Sequence, residues 1–477
     1  MIAVLTGVVA FVATLVYFRS APAFDDAFIS ATFARNLSQG QGLTWTPGEP
    51  AFYGPTSLPF TLLLALGEWF GIGSLTTARW LGALGWGLVH ATMFLVGVTF
   101  LAEPIAVITT LWSALLLVGP RWSVGMETGL YVAAIMAALH ALQQRAFRAA
   151  FAFAVAASLI RPDGLILFGV VALVAALTVT APDWRGRFKA VIQAAAPALA
   201  AAAAAGILIV IFLGTLVPNS VAAKRAFSCD VAGCISPGGL YQELGGYIGR
   251  GAAAFLALFA VVGTGRALAA RARGAWPLLV FVFAYLATFT LARAPGSVWY
   301  YAPLAPALIL FSAFGIAGPW PFRTRLVRWL GAAALIAAVL LTTRAAFAVQ
   351  PRRSVKGVEP ARAEVADSIL RDMSVRQRST ASVLSFEVGY LGYTIPGRII
   401  DLLGVVTPGL QPCFSREDGS EVLERLSPDY VVVIDQPYVG TRCIAGARVL
   451  QSGYTLLARV SRDFGSYMDN YLVYRRR

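Results

Sequence analysis

Apolar runs recur along the first 347 residues of this chain, and they constrain its fold more than any other feature. They lie near residues 2–18, 76–100, 104–119, 128–142, 149–160, 164–181, 190–214, 248–265, 275–292, 299–317 and 329–347. Hydrophobic residues make up 58% of the 477 positions and charged residues 13%, so the runs have too little polar surface around them to form a water-soluble globule. The expectation is a polytopic α-helical membrane protein with about eleven transmembrane helices over residues 1–349. Ala21-Pro22-Ala23 resembles a signal cleavage site. No basic segment precedes the first run, however, so it reads as a span. Residues 56–71 are apolar but short, open with Pro59 and carry Glu68 and Trp69, which predicts a juxtamembrane helix in the interface.

The formal net charge of +14 does not point to nucleic acid, because the basic residues are dispersed among linkers. With the amino terminus inside, Arg145 and Arg148, then Arg185, Arg187 and Lys189, then Arg266, Arg271 and Arg273, then Arg323, Arg325 and Arg328 all fall on the cytoplasmic side. Arg19, at the outer end of the first span, resists this arrangement. Inverting that span and letting residues 56–71 cross would move Asp25 and Asp26 to the cytoplasm. The prevailing parity makes residues 19–75 the first outer loop. It also puts all four cysteines on the oxidising side, read as two bridges, Cys229–Cys234 and Cys413–Cys443, with other pairings open.

Residues 350–477 are polar. Their β-type runs, ASVLSF, GRIIDLLG, DYVVVID, YTLLARV and YLVYRRR, alternate with helical patterns near 357–373 and 418–426. A small extracytoplasmic α/β domain is expected there.

Candidate chemistry gathers at the outer boundary. Asp25 and Asp26 adjoin the first span, with interfacial solvation as the plain alternative. Glu127 opens another outer loop. Two crossings between residues 149 and 182 are short of chain, so Arg161 and Asp163 sit at headgroup depth, where ionisable groups are costly and are paired or functional; a turn-capping pair is the structural alternative. Lys224 and Arg225 stand outside against the positive-inside trend. Trp299, Tyr300 and Tyr301 form an aromatic boundary. The two histidines, His90 and His140, lie within predicted spans, which excludes histidine metal sites and triads, and no phosphate-binding glycine fingerprint occurs. Carboxylates facing cations suit attack of a hydroxyl on an activated sugar. A divalent cation at Asp25 and Asp26 is the one cofactor left open.

The block DDAFISATFARNLSQGQGLTWTPGEPAFYGPTSLPFTLLLAL, with GMET, RPDG, PNSVAAK and FEVGYLGYTIPGRIIDLLGVVTPG following in order, resembles the GT-C superfamily of membrane glycosyltransferases. It is most similar to the group containing actinobacterial cell-wall arabinofuranosyltransferases. The resemblance implies that the two aspartates face outside a bacterial plasma membrane and that one of them is the base, with Glu127 a second acidic site residue. It further implies a polyprenyl-phosphate sugar donor, a glycan, lipid or protein acceptor, and Arg161 and Lys224 beside the phosphate. Arg35, Tyr53, Asp163, Asn219, Tyr300 and Glu387 are expected to line the substrate. Asp25, nearer the span, is favoured as base, with Asp26 orienting a sugar hydroxyl, a cation or Arg35. A non-catalytic lipid-sugar binding subunit and a polyprenyl-lipid transporter are the competing functions.

Overall fold

The computed structural model describes residues 1–224, 235–294, 296–318, 325–349, 358–374, 379–410, 419–434, 443–463 and 468–477. Cys229, Cys234 and Cys413 lie outside these, as does the side chain of Lys224. Cys443 is the one described cysteine, and its thiol is not free.

A helix occupies each of the eleven expected positions. Eight are long and apolar enough to cross a membrane: Ile2–Ser20, Ser74–Gly97, Glu103–Arg121, Trp184–Leu213, Arg250–Ala269, Arg273–Leu291, Val298–Ala317 and Trp329–Ala348. The other three, Thr128–Gln143, Phe147–Ile160 and Gly164–Thr178, have 16, 14 and 15 residues. At 1.5 Å per residue they reach about 21 to 24 Å, less than the ~30 Å hydrocarbon thickness. Residues 56–71 form the short helix Leu58–Trp69. The chain is thus a multi-pass helical membrane protein. Exposure agrees with composition: in Trp184–Leu213 only Ala195 and Ala198 are buried, while Phe188, Ile192, Ile207, Ile211 and Phe212 are exposed. A face so apolar is stable against lipid and costly against water.

The chain divides into two compact units. The first comprises residues 1–20, 79–208 and 234–351. One close helix contact joins Arg250–Ala269 to Ala305–Ala317, where a Cβ on Gly263 would lie 1.9 Å from the Phe311 carbonyl oxygen and one on Gly315 would lie 2.2 Å from that of Phe259. Only glycine allows such backbone approach, the packing mode favoured where helices cannot rely on a hydrophobic drive. Ser312 Oγ donates to the Leu256 carbonyl across the same contact at 2.9 Å. Arg266 closes its end, donating to the carbonyls of Phe314, Gly315 and Gly318 at 2.7 to 3.0 Å.

The second unit comprises residues 21–78, 209–233 and 352–477, so the polar tail is joined by the first loop rather than standing alone from residue 350. The five β-type runs become five strands: β1 (Ser382–Ser385), β2 (Arg398–Asp401), β3 (Tyr430–Ile434), β4 (Tyr454–Asp463) and β5 (Met468–Arg476). Their order is β2-β1-β3-β5-β4, parallel across the first three and antiparallel at β5 and β4. β3 is buried at every position, as a central strand covered on both faces must be. One face of the sheet shares a core with the helix Val358–Asp372 and with Ile29, Phe33, Leu43 and Trp45 of the first loop. Burying four large apolar side chains from residues 21–78 explains why that loop joins the tail.

Candidate functional site

The second unit holds the aspartate pair. Asp25 and Asp26 form the first turn of the helix Asp25–Ser38, where carboxylates oppose the helix dipole favourably. Adjacent helical positions point about 100° apart, so the two carboxylates face different surroundings. Those of Asp25 are specific: Oδ2 accepts the backbone N–H of Gly389 at 2.7 Å, and Oδ1 accepts that of Tyr390 at 3.0 Å. The Arg362 Nε lies 3.7 Å from Oδ1 and donates to Glu387 Oε2 at 3.0 Å, and the Tyr471 hydroxyl donates to the same Glu387 oxygen. Burial raises the Asp25 carboxyl above its ordinary value, against the lowering by Arg362 and the two amides. Burial disfavours the charge of Arg362 too, yet Glu387 and Asp25 hold its pKa above the ordinary value.

Gly389 makes this contact sterically possible. A Cβ there would sit 1.9 Å from the Asp25 carbonyl oxygen. Arg35 does not serve the aspartates: ten residues further along the helix, about 15 Å away, its Nη1 donates to the Tyr393 carbonyl at 2.7 Å and its guanidinium lies 4.8 Å from the Tyr393 ring centroid. There it lines a cavity of about 280 Å³ with Gln39, Trp45 and Thr394. Asn219 is a clamp. Its N–H donates to the Tyr53 carbonyl at 2.7 Å, and its amide nitrogen donates to the carbonyls of Gly404 and Val405 at 2.7 and 2.6 Å. Fully buried Asp401 organises the same loop by accepting the N–H groups of Leu403 and Val406. Burial pushes its carboxyl up to about 7.

The first unit brings together Glu127, Arg161, Asp163 and Tyr300. Arg161, 3% exposed, bonds Glu127 Oε1 through Nη1 at 3.1 Å and Asp163 Oδ1 through Nε at 3.0 Å. Its guanidinium lies 4.9 Å from the Tyr300 ring and 5.5 Å from that of Tyr131. The Tyr285 hydroxyl reaches the Tyr300 carbonyl at 3.0 Å and Asp163 Oδ2 at 3.4 Å. One guanidinium thus meets two carboxylates.

The sequence reading missed Arg362, Tyr471 and the Gly389–Tyr390 amides. Arg362 lies in an amphipathic helix that any solvated face would resemble, and no local pattern marks it. Both Asp25 oxygens already accept N–H groups, and among the described residues no set of three His, Cys, Asp or Glu side chains converges.

Residues 357–474 match a family described as a domain of unknown function, DUF8728. No curated protein matches the sequence. In structure, the chain is similar to the apo oligosaccharyltransferase of Archaeoglobus fulgidus, with a TM-score of 0.54 and 13% identity over 90% of this chain and 69% of that one. ArnT from Cupriavidus metallidurans bound to undecaprenyl phosphate gives 0.53 and 14% over 99% of this chain and 97% of that one. The archaeal AglB of A. fulgidus, in complex with an inhibitory peptide and a dolichol-phosphate, gives 0.54 and 12% over 90% and 68%. At these identities the likeness is one of architecture, and the architecture is the GT-C fold.

Proposed function

We propose that this chain is a glycosyltransferase that moves a sugar from a polyprenyl-phosphate donor to an acceptor hydroxyl, with Asp26 as general base and Asp25 as its positioning neighbour. The observation that carries the assignment is the engagement of Asp25 by two amides and Arg362, which commits that carboxylate to holding the helix start. Asp26, the other carboxylate of the turn and about 100° round the helix from Asp25, is assigned the proton transfer. In the reaction the acceptor oxygen attacks the anomeric carbon, its proton passes to Asp26, and the bond from the anomeric carbon to the phosphate oxygen breaks, with the electron pair leaving on polyprenyl phosphate. The fold shared with an undecaprenyl-phosphate-bound protein supports the donor class. The resemblance of the first loop to the arabinofuranosyltransferase group supports a cell-envelope acceptor. Basic linkers alternating along the sequence support a bacterial plasma-membrane location with the aspartates and tail outside.

Arg161 is assigned to aligning Glu127 and Asp163, because its charge is already met by both. The test is a reconstituted transfer assay with lipid-linked sugar extracted from the native envelope. Asp26→Asn should lower turnover about 10²- to 10⁴-fold with donor binding intact. Near wild-type turnover in Asp26→Asn removes the base assignment. Retained donor binding with no transfer by the wild-type chain, whatever the acceptor, makes it a binding subunit.

A further inference from the structure

We propose that Arg121 forms an anion site in the membrane-spanning unit that takes the phosphate oxygens of a lipid phosphate. This rests on the donor class argued above but on different residues. Leu117, at φ 50°, breaks the apolar helix Glu103–Leu116, and the single turn Val118–Arg121 that follows carries Arg121 into the interior, 4% exposed. A non-glycine residue held in the left-handed region is a strained feature that surroundings must maintain. The guanidinium stays charged, since burial does not deprotonate arginine. Yet among the described residues its one hydrogen bond is from Nη1 to the Tyr247 carbonyl, at a long 3.2 Å, and its guanidinium lies 6.0 Å from the Tyr17 ring centroid. Among the described residues no carboxylate lies within 4 Å of it, and its Nε–H has no acceptor. Arg161, by contrast, has two carboxylates.

Trp122 repeats the pattern. Fully buried, it meets the Tyr247 ring edge-on at 6.0 Å and the Tyr301 ring at 6.5 Å, and its indole N–H also lacks an acceptor. Among the described residues, two adjacent residues therefore leave donor N–H groups unmet around one tyrosine, with a positive charge and no carboxylate within 4 Å to meet it. Buried cations require pairing. A ligand completing this site must be an acceptor and an anion, and a phosphate matches both the charge and the planar fork of the guanidinium.

The experiment titrates undecaprenyl phosphate into the full chain in phosphatidylcholine nanodiscs, with no acceptor present, and reads binding by native mass spectrometry. Arg121→Gln should weaken binding about tenfold or more, Arg121→Lys less, and Trp122→Phe, which keeps an aromatic ring but removes the pyrrole portion with its N–H, several-fold. Competition by millimolar inorganic phosphate would assign the site to the phosphate group itself, and competition by phosphatidylglycerol alone to anionic lipid generally; each retains the anion site. Wild-type affinity in Arg121→Gln overturns it. Should that variant fail to fold, unchanged affinity in Trp122→Phe does the same. Asp26→Asn should bind as wild type. Arg121-dependent binding without sugar transfer therefore rejects the function and keeps the site, whereas transfer with Arg121-independent binding rejects only the site.

Discussion

Adding one methyl group at Gly389 should release Asp25. In Gly389→Ala the new Cβ would lie 1.9 Å from the Asp25 carbonyl oxygen, 2.8 Å from its carbonyl carbon and 3.0 Å from its Cγ. The nearest clash is with backbone, so no rotamer change relieves it. Ordinary contact needs a further 1.5 Å or so, and that movement would carry the 2.7 and 3.0 Å amide bonds beyond hydrogen-bonding range. Each bond to a charged carboxylate contributes about 1.5 to 3 kcal/mol, so losing both costs about 3 to 6 kcal/mol, and where the bonds hold the overpacking strain costs about 1 to 3 kcal/mol instead. Hydrogen exchange resolved to residues 24–38 and 386–394 should show both segments losing protection together while the β3 and β5 amides keep theirs. In the transfer assay turnover should fall with them. Unchanged protection in both segments would show that Gly389 does not hold the aspartates, and the positioning role of Asp25 would fall with it.

Asp401 makes the second unit pH-sensitive. Its folded carboxyl, near 7, lies above the ordinary 3.8. The folded state therefore keeps a proton that the unfolded chain gives up, and stability should drop as pH rises from about 4 to about 7, by on the order of 4 kcal/mol at 1.36 kcal/mol per pH unit. Asp401→Asn should flatten that slope in thermal unfolding, and an unaltered slope would locate the titration elsewhere. Gly263→Ala places a Cβ 1.9 Å from the Phe311 oxygen and should cost about 1 to 3 kcal/mol, read as a lower melting temperature in detergent; an unshifted melt would mean the two helices separate freely. Trp45→Phe keeps an aromatic ring but loses the pyrrole part of the buried indole and with it the 3.0 Å bond to the Ile399 carbonyl, a loss of at least about 1 to 3 kcal/mol visible as faster exchange around β2, and unchanged exchange would remove that bond from the account.

What could be read in advance followed from local pattern. Hydropathy places the spans, and alternation in ASVLSF or DYVVVID places strands, because each depends on residues within one element. The pairing of Arg161 with Asp163 was legible for a related reason, since charges in apolar surroundings have few places to go, whereas the contact of Arg161 with Glu127, 34 residues earlier, was not. Asp25 was visible as an acid beside a span, but its role depends on amides 364 and 365 residues further along, which no local pattern encodes. Arg35 looked close to the aspartates in sequence and is a helix length away in space. Arg121 escaped notice because GPRW reads as an ordinary turn at a span end; only its surroundings show that no carboxylate among the described residues meets its charge.

The sheet has a consequence for biosynthesis. β5 lies between β3 and β4, so neither of those strands can complete its pairing until residues 468–476 have been made. Ile29, Phe33 and Trp45, which share the core closed by Tyr471 and Val473, are translated more than 400 residues earlier. At 5 to 20 residues per second the ribosome takes roughly 20 to 85 s to cover that distance. Throughout that interval the first loop is an apolar segment without its partners while helix after helix enters the membrane. A chain of this design needs a holding factor, or a slow enough encounter with proteases, on the side where the loop waits, and a premature stop within β5 would leave all the preceding helices made and the second unit unclosed.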